Sequence, residues 1–320
     1  MLPLGEGGAI IWVMDISLIF QQMAVMLILL VVGVVAARTG VIDGETNRRM
    51  TRFALAIPQS AQILSSAMNM QTGMSLGRVM GLLGAGWIYF AVLILLSLGV
   101  PFLYRVKGKD RGVYSFMTIF GNMGFMGLPV IRSIFGDTAV FYGAILLIPF
   151  NIIAYTYGVM LLQGGKGRID WKALVSVPLI SAFISVVLVC VHIPIPYPIR
   201  QATTLLGDMI TPLSMIIIGA SLGELPLGEV LGDWRSYAFA PVRLIASPVL
   251  IWAVMGLFTK DPTLLGVYTV LAAMPVATFA TMLSIRYGGN ERLTSRTVFV
   301  TTVLSVATIP LVCWMLPLGG

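Results

Sequence analysis

The chain has 320 residues, of which 58% are hydrophobic and only 10% are charged, and its net charge is +7. A soluble domain carries about a quarter charged residues, so this composition excludes an ordinary soluble enzyme or binding module. It predicts an integral membrane protein in which almost every residue belongs to a membrane segment or a short loop.

Apolar runs of roughly 20 residues recur along the chain, and each could cross a hydrocarbon core of about 30 Å. We predict ten spans: 16–37, 47–68, 77–103, 112–134, 138–162, 173–192, 198–222, 235–258, 263–287 and 294–316. Residues 1–13 contain no basic residue and do not resemble a secretory signal, which makes Met14 an alternative start. Cys190 and Cys313 are expected to be free thiols.

The basic residues are distributed unequally between the two sides of the predicted membrane. The loops after spans 1, 3, 5, 7 and 9, with the adjoining span ends, hold 15 of the 20 basic residues. Positive charge marks the cytoplasmic side, so we expect a cell-membrane protein with both termini outside. The basicity therefore reflects topology, and no nucleic acid partner is expected because no clustered basic patch occurs.

Matched prolines predict an internal duplication. Pro58 interrupts the second span and Pro212 the seventh, while Pro129 interrupts the fourth and Pro275 the ninth. Five spans per half is an odd number, so the second repeat would enter the membrane from the opposite face. Chance is the alternative, since proline is common in membrane helices. The predicted repeats are residues 1–163 and 164–320, joined at a glycine-rich linker.

The fourth span contains the first candidate site. Asn122 lies among three glycines spaced three residues apart, and Pro129 follows seven residues later on the same helical face. A membrane helix broken by proline has no water to replace its lost hydrogen bonds, so the freed backbone must face something polar. Thr118, one turn before Asn122, joins the candidate site. The alternative is that these small and polar residues only pack helices together.

The ninth span contains a second break, at Pro275, followed by Thr278 and Thr281. Two broken helices in corresponding positions of two repeats predict a substrate site at the membrane midplane. Half-helix N-termini there would present positive dipole ends that suit an anion. Gln59 and Asn151, beside other span-interrupting prolines, are weaker candidates that could instead cap broken backbone.

Asp208 in the seventh span and Arg243 in the eighth are the only acid and base predicted near mid-membrane. A charge there costs roughly 2.5–3.5 kcal/mol, so each should be functional or paired. Arg243 keeps its charge and suits binding of a substrate carboxylate, whereas Asp208 can exchange a proton and suits coupling. The alternative is that the two residues neutralise each other.

These stretches resemble the auxin efflux carrier family, a branch of the bile acid:sodium symporter superfamily, over most of the chain. The most specific part is the run from Gly121 to Pro129. Supporting stretches are Gly40–Asp43, Thr211–Leu213 with Gly219–Leu222, Met274–Pro275 and Tyr287–Asn290.

The resemblance implies an all-α membrane protein of ten helices in two inverted five-helix repeats, divided into a scaffold and a transport domain. It implies that broken helices 4 and 9 cross at Pro129 and Pro275, that Asn122 lies near the substrate, and that the transport domain moves elevator-fashion. It also implies export or exchange of organic anions, including mono- and dicarboxylates. One departure concerns coupling. Sodium-coupled relatives carry an acidic residue at the ninth-helix crossover, and Ala273–Ser284 contains none.

The resulting hypothesis is a carrier for a small organic anion that is proton-coupled or uncoupled. Sodium coupling is the first alternative, because the superfamily uses it. A channel is less favoured because no span shows a continuous polar stripe, and an enzyme because no catalytic motif occurs. The expected partners are the anion and the bilayer, with a homodimer left open, and no cofactor or metal is expected.

Overall fold

The computed structural model describes residues 16–69, 74–164, 176–191, 193–224 and 234–316. Met14 and the linker beyond Gly164 lie outside these ranges. The described chain is helical, and its only extended pairing is one isolated bridge. The helices are α1 (Ile16–Arg38), α2 (Gly44–Ala54), α3 (Ser60–Met68), α4 (Leu76–Leu103), α5 (Asp110–Ile119), α6 (Leu128–Phe135), α7 (Asp137–Ile153), α8 (Val159–Leu162), α9 (Val177–Val191), α10 (Tyr197–Asp208), α11 (Ile210–Gly223), α12 (Trp234–Pro241), α13 (Ser247–Phe258), α14 (Pro262–Ala272), α15 (Phe279–Tyr287) and α16 (Glu291–Met315).

Six helical stretches of the described chain are long and apolar enough to cross a membrane. They are Phe20–Arg38, Leu76–Leu103, Asp137–Leu162, Tyr197–Gly223, Trp234–Phe258 and Glu291–Met315. Shorter apolar helices cover Met123–Phe135, Val177–Val191 and Pro262–Ala272. The chain is therefore an all-helical, multi-pass membrane protein.

Four helices are widened by a π-helical turn, at Leu55–Gln59, Met123–Gly127, Ala154–Gly158 and Val242–Ala246. In three of them a proline lies inside the turn or two residues after its end: Pro58, Pro129 and Pro248. Proline removes a backbone donor and crowds the preceding turn, so the helix accommodates it by widening locally. These prolines therefore reshape the helices without ending them.

The helices pack in two groups. In the first group α1 runs along α11, and α3 packs against α9 and α10. In the second group α4 packs against α5, α7 and α13, α6 packs against α7, α14 packs against α13, and α16 packs against α12 and α15. The two groups meet where α7 contacts α3 and α9, and where α16 contacts α1. Aromatic rings hold the second group together; the buried Phe120 and Phe150 and the partly buried Phe279 lie edge to face with centroids 5.5–6.4 Å apart. Both broken helices belong to this second group.

Candidate substrate site

The break between α5 and α6 and the break between α14 and α15 are joined by main-chain hydrogen bonds. The N–H of Asn122 donates to the carbonyl of Pro275 at 2.8 Å, and the N–H of Ala277 donates to the carbonyl of Phe120 at 3.1 Å. Gly121 and Val276 form the antiparallel bridge between them. Backbone groups left unpaired by one break thus form hydrogen bonds with those left unpaired by the other. The two broken helices predicted from the sequence therefore meet here.

The fourth-span break is displaced from its predicted position. The helix ends at Ile119, the chain is extended through Phe120, and a π-helical turn begins at Met123. Pro129 is buried two residues after this π-helical turn, within a helix that continues from the turn into α6. The expectation that helix 4 crosses at Pro129 is therefore wrong by about two turns, whereas Pro275 lies inside the ninth-span break.

A cavity of about 670 Å³ lies beside the paired breaks. That size falls within the usual range for small-molecule sites of roughly 300–1,000 Å³. The predicted residues that line it are Gln59, Asn122, Asn151, Thr278 and Thr281. Apolar side chains, among them Leu55, Phe150 and Met282, form much of the remaining wall. The structure therefore brings five dispersed polar candidates to one partly apolar cavity.

Two of these polar side chains are almost fully buried and incompletely bonded. Asn122 is 4% exposed and Gln59 is 3% exposed. Neither Nδ2 of Asn122 nor Oε1 of Gln59 has a hydrogen-bond partner among the described residues. A buried polar atom without a partner costs about 1–3 kcal/mol, so both atoms are available to a ligand or water. Asn151, by contrast, donates to the carbonyl of Leu147 at 2.7 Å, the capping role considered from sequence.

Main-chain amides add donors to the same wall. The N–H groups of Gly124, Phe125, Thr278 and Phe279 form no hydrogen bond within the described part of the chain. They belong to the first turn after each break, where an intrahelical acceptor is missing. All four residues line the cavity, so the positive ends of two half-helices are directed at one space. This arrangement suits an anion.

The other predicted site residues lie outside the cavity wall. Thr118 is buried in the last turn of α5 and donates its hydroxyl hydrogen to the carbonyl of Tyr114. Arg243 is fully buried in the π-helical turn after α12, where its guanidinium donates to the carbonyls of Thr118 and Met274. Neither residue reaches the cavity in this conformation.

Asp208 occupies a different environment from the one expected. It ends α10, its side chain is 50% exposed, and it forms an ion pair with Arg132 of α6. Arg132 also donates to Asp137 at 2.7 Å. The alternative in which Asp208 and Arg243 neutralise each other is wrong. Asp208 pairs instead with Arg132, on a different helix from Arg243.

Charged residues appear where the cavity reaches the ends of the helices. Arg48 and Arg52 of α2 contribute positive charge there, and Glu224 and Glu291 contribute negative charge. Burial raises the pKa of Glu224 above its usual value, and the nearby carboxylate of Asp43 raises it further. The deep wall thus combines apolar side chains with uncharged polar groups, and the mouth has mixed charge.

Comparison with known proteins identifies the family. A family model described as membrane transport protein matches residues 18–173 and 166–313. The chain belongs to this family, the auxin efflux carriers. Its membership accounts for the Gly121–Pro129 run and points to a transporter rather than an enzyme.

Three curated relatives carry transporter names. A protein of Rhizobium meliloti, named provisionally as a malonate transporter, is 24% identical over 74% of this chain and 76% of its own length. An uncharacterized transporter of Methanocaldococcus jannaschii is 25% identical over 91% of this chain and 97% of its own. Another, from Methanothermobacter thermautotrophicus, is 28% identical over 65% of this chain and 70% of its own.

Proposed function

We propose that this auxin efflux carrier family member transports a small mono- or dicarboxylate, held in the cavity beside the paired breaks. The observation that carries the proposal is the convergence of four unbonded main-chain N–H groups with the unpartnered side-chain Nδ2 of Asn122. Amide donors at helix N-termini bind carboxylates well, and the apolar wall accommodates a short carbon chain. Malonate is the first substrate to test, because a relative bears that name.

Topology and mechanism form part of the same proposal. We propose ten membrane segments in two inverted repeats, 1–163 and 164–320, with the second packing group moving against the first in elevator fashion. The cavity reaches the helix ends at Gly44, Ser176, Glu224 and Glu291. These ends adjoin the loops that hold most basic residues, so the cavity would open to the cytoplasm with both termini outside.

Coupling to protons, or no coupling, remains our proposal over sodium coupling. Asp208 is the candidate proton-coupling residue, because its carboxylate joins α10 of the first packing group to α6 of the second. A group that links two moving bodies can exchange a proton when they separate. Sodium dependence of flux would favour the alternative.

The test is flux through purified protein in proteoliposomes. We expect saturable malonate uptake that accelerates when the vesicles are preloaded with malonate. Flux without saturation would indicate a channel, and conversion of malonate without flux would indicate an enzyme. A thermal-shift screen of other carboxylates would then rank substrates, since a ligand that binds only the native state raises its melting temperature.

A matched pair of glutamines tests the position of the site. Gln59 and Gln62 are both almost fully buried, at 3% and 2% exposure, and each has an unpartnered amide oxygen. Only Gln59 lines the cavity, whereas Gln62 packs against Gly207 of α10. Nε2 of Gln59 can donate to a carboxylate, so Gln59→Ala should raise the KM for malonate about tenfold, as for a lost hydrogen bond to a charged group, while Gln62→Ala leaves it unchanged. Equal effects would place the substrate elsewhere.

A further inference from the structure

Arg243 is the largest fully buried side chain of the described residues. Its charge has no carboxylate partner there, because the ion pairs involve Arg49, Arg78 and Arg132 instead. An intramembrane charge is expensive even on lenient scales, so something else must stabilise it.

The compensation comes from two helix ends. Nε of Arg243 donates to the carbonyl of Met274 at 3.0 Å, and Nη1 donates to the carbonyl of Thr118 at 2.8 Å. Thr118 lies in the last turn of α5, and Met274 follows the C-cap residue of α14, Ala273. A helix C-terminus carries roughly half a negative charge, so two of them together approximately balance one guanidinium. Both C-termini exist only because the two helices are broken.

The third nitrogen lies directly behind the cavity wall. Gly121 lines the cavity, and a Cβ added to it would collide with Nη2 of Arg243. Nη2 makes no hydrogen bond of regular geometry in the described chain, and the buried hydroxyl of Tyr89 is the polar side-chain group that interacts with the guanidinium. The positive charge is therefore separated from the cavity by one residue that lacks a side chain.

We propose that Arg243 is a positioning residue that acts as a permanent internal cation of the crossover. It ties the two broken helices together at their C-termini and makes the cavity wall more positive without contacting the substrate. Because the guanidinium cannot lose its charge or dissociate, the crossover needs no bound cation to assemble. The effect on anion binding rests on the proposed function, whereas the effect on helix pairing does not.

Charge dependence separates this role from a purely structural one. Binding of malonate, a dianion, and of its monomethyl ester, a monoanion, is measured by calorimetry on purified wild type, Arg243→Gln and Arg243→Lys. Arg243→Gln should weaken malonate binding about tenfold and ester binding about threefold, since the lost Coulomb energy scales with ligand charge. Arg243→Lys should restore much of the difference between the two ligands. Equal losses for both ligands, or a lysine variant no better than glutamine, would overturn the through-wall effect.

Two further arms cover other outcomes. If Arg243→Gln does not fold, Gly121→Ala displaces Nη2 and should give the same charge-dependent loss; unchanged binding would overturn the proposal. Thermal unfolding of each variant tests helix pairing, with the order wild type, lysine, glutamine expected, and a glutamine variant as stable as wild type would refute it. If the wild type binds neither anion, the proposed function fails, and the thermal arm still decides the pairing role.

Discussion

The two ends of the molecule are built differently. At one end a cavity with an uncharged deep wall runs from the paired breaks to the ends of α2, α9, α11 and α16. At the other end, where α6 ends and α14 begins, charged side chains hold helices together. There Arg132 bridges Asp137 and Asp208, and Arg78 donates to Asp261 at 2.5 Å and to the hydroxyl of Tyr142 at 3.2 Å.

This difference shows which contacts must change if the molecule alternates between two open states. The pair between Arg78 and Asp261 joins α4 to α14 within the second packing group and can persist. The pair between Arg132 and Asp208 joins the two groups and must break when they slide. Under the proposed mechanism, the polar groups of the cavity would hold the substrate and these charges would close the path behind it.

Removing the side-chain amide of Asn122 from the cavity wall should have the largest effect. Asn122→Ala deletes an unpartnered donor from the cavity wall while leaving the main-chain bond to Pro275. We expect malonate uptake in proteoliposomes to fall about tenfold to a hundredfold with normal membrane insertion, as for a lost hydrogen bond to a charged ligand. Thr118→Val is the control, because that hydroxyl lies outside the cavity. Normal uptake by Asn122→Ala would contradict the site.

Breaking the ion pair between Arg132 and Asp208 should have an intermediate and more selective effect. Asp208→Asn removes the charge opposite Arg132, and we expect it to abolish uptake driven by a pH gradient while malonate exchange continues. The measurement is uptake with and without an imposed gradient. Asp261→Asn breaks the pair within one packing group and should leave gradient-driven uptake intact, since a solvent-accessible ion pair contributes only about 0–1 kcal/mol. Retained pH dependence in Asp208→Asn would remove it as the coupling group.

The smallest effect is expected at the mouth of the cavity, where Asp43 caps α2. Its carboxylate accepts a bond from the N–H of Thr46 at 2.7 Å, and the side chain of Thr46 together with this N–H holds the pKa of Asp43 below the usual 3.8. A lowered pKa stabilises the folded chain above the unfolded value and loses that contribution as the pH falls through the folded value. Asp43→Ala should thus slightly lower the melting temperature at neutral pH.

The difference between Asp43→Ala and wild type should shrink as the pH falls below 3.8. Thermal unfolding of both proteins across this range is the measurement. Asp137→Ala is a useful comparison, because it removes an acidic side chain far from Asp43 in the chain, beside Arg132. A difference for Asp43→Ala that is constant with pH would show that the cap acts through packing alone.

The sequence was sufficient to predict the polar residues of the cavity wall but not the position of Arg243 behind it. Glycine and proline mark where a membrane helix breaks, so Asn122, Thr278 and Thr281 could be selected as neighbours of exposed backbone. Gln59 and Asn151 were found because they are polar residues close to span prolines. The exact break could not be located, because an extended Phe120–Asn122 and a π-helical turn together displaced it from Pro129.

The partners of the charged residues were harder to predict. Arg243 binds carbonyls, and the sequence does not show which of many identical main-chain groups are free. Asp208 pairs with Arg132, which comes 76 positions earlier. The small size of Gly121 was the one available signal for the buried guanidinium behind it, but glycine in a membrane helix is equally typical of close helix packing.

The donors at Gly124, Phe125, Thr278 and Phe279 belong to the peptide backbone, and a substitution that keeps the local fold cannot delete them. Recognition of a carboxylate would therefore be inherited with the kinked architecture itself. Side chains such as Leu55, Phe150 and Met282, which enclose the rest of the chamber, are free to diverge. Mutations in these side chains could therefore change which carboxylic acid the scaffold binds, while the main-chain donors continue to bind the carboxylate.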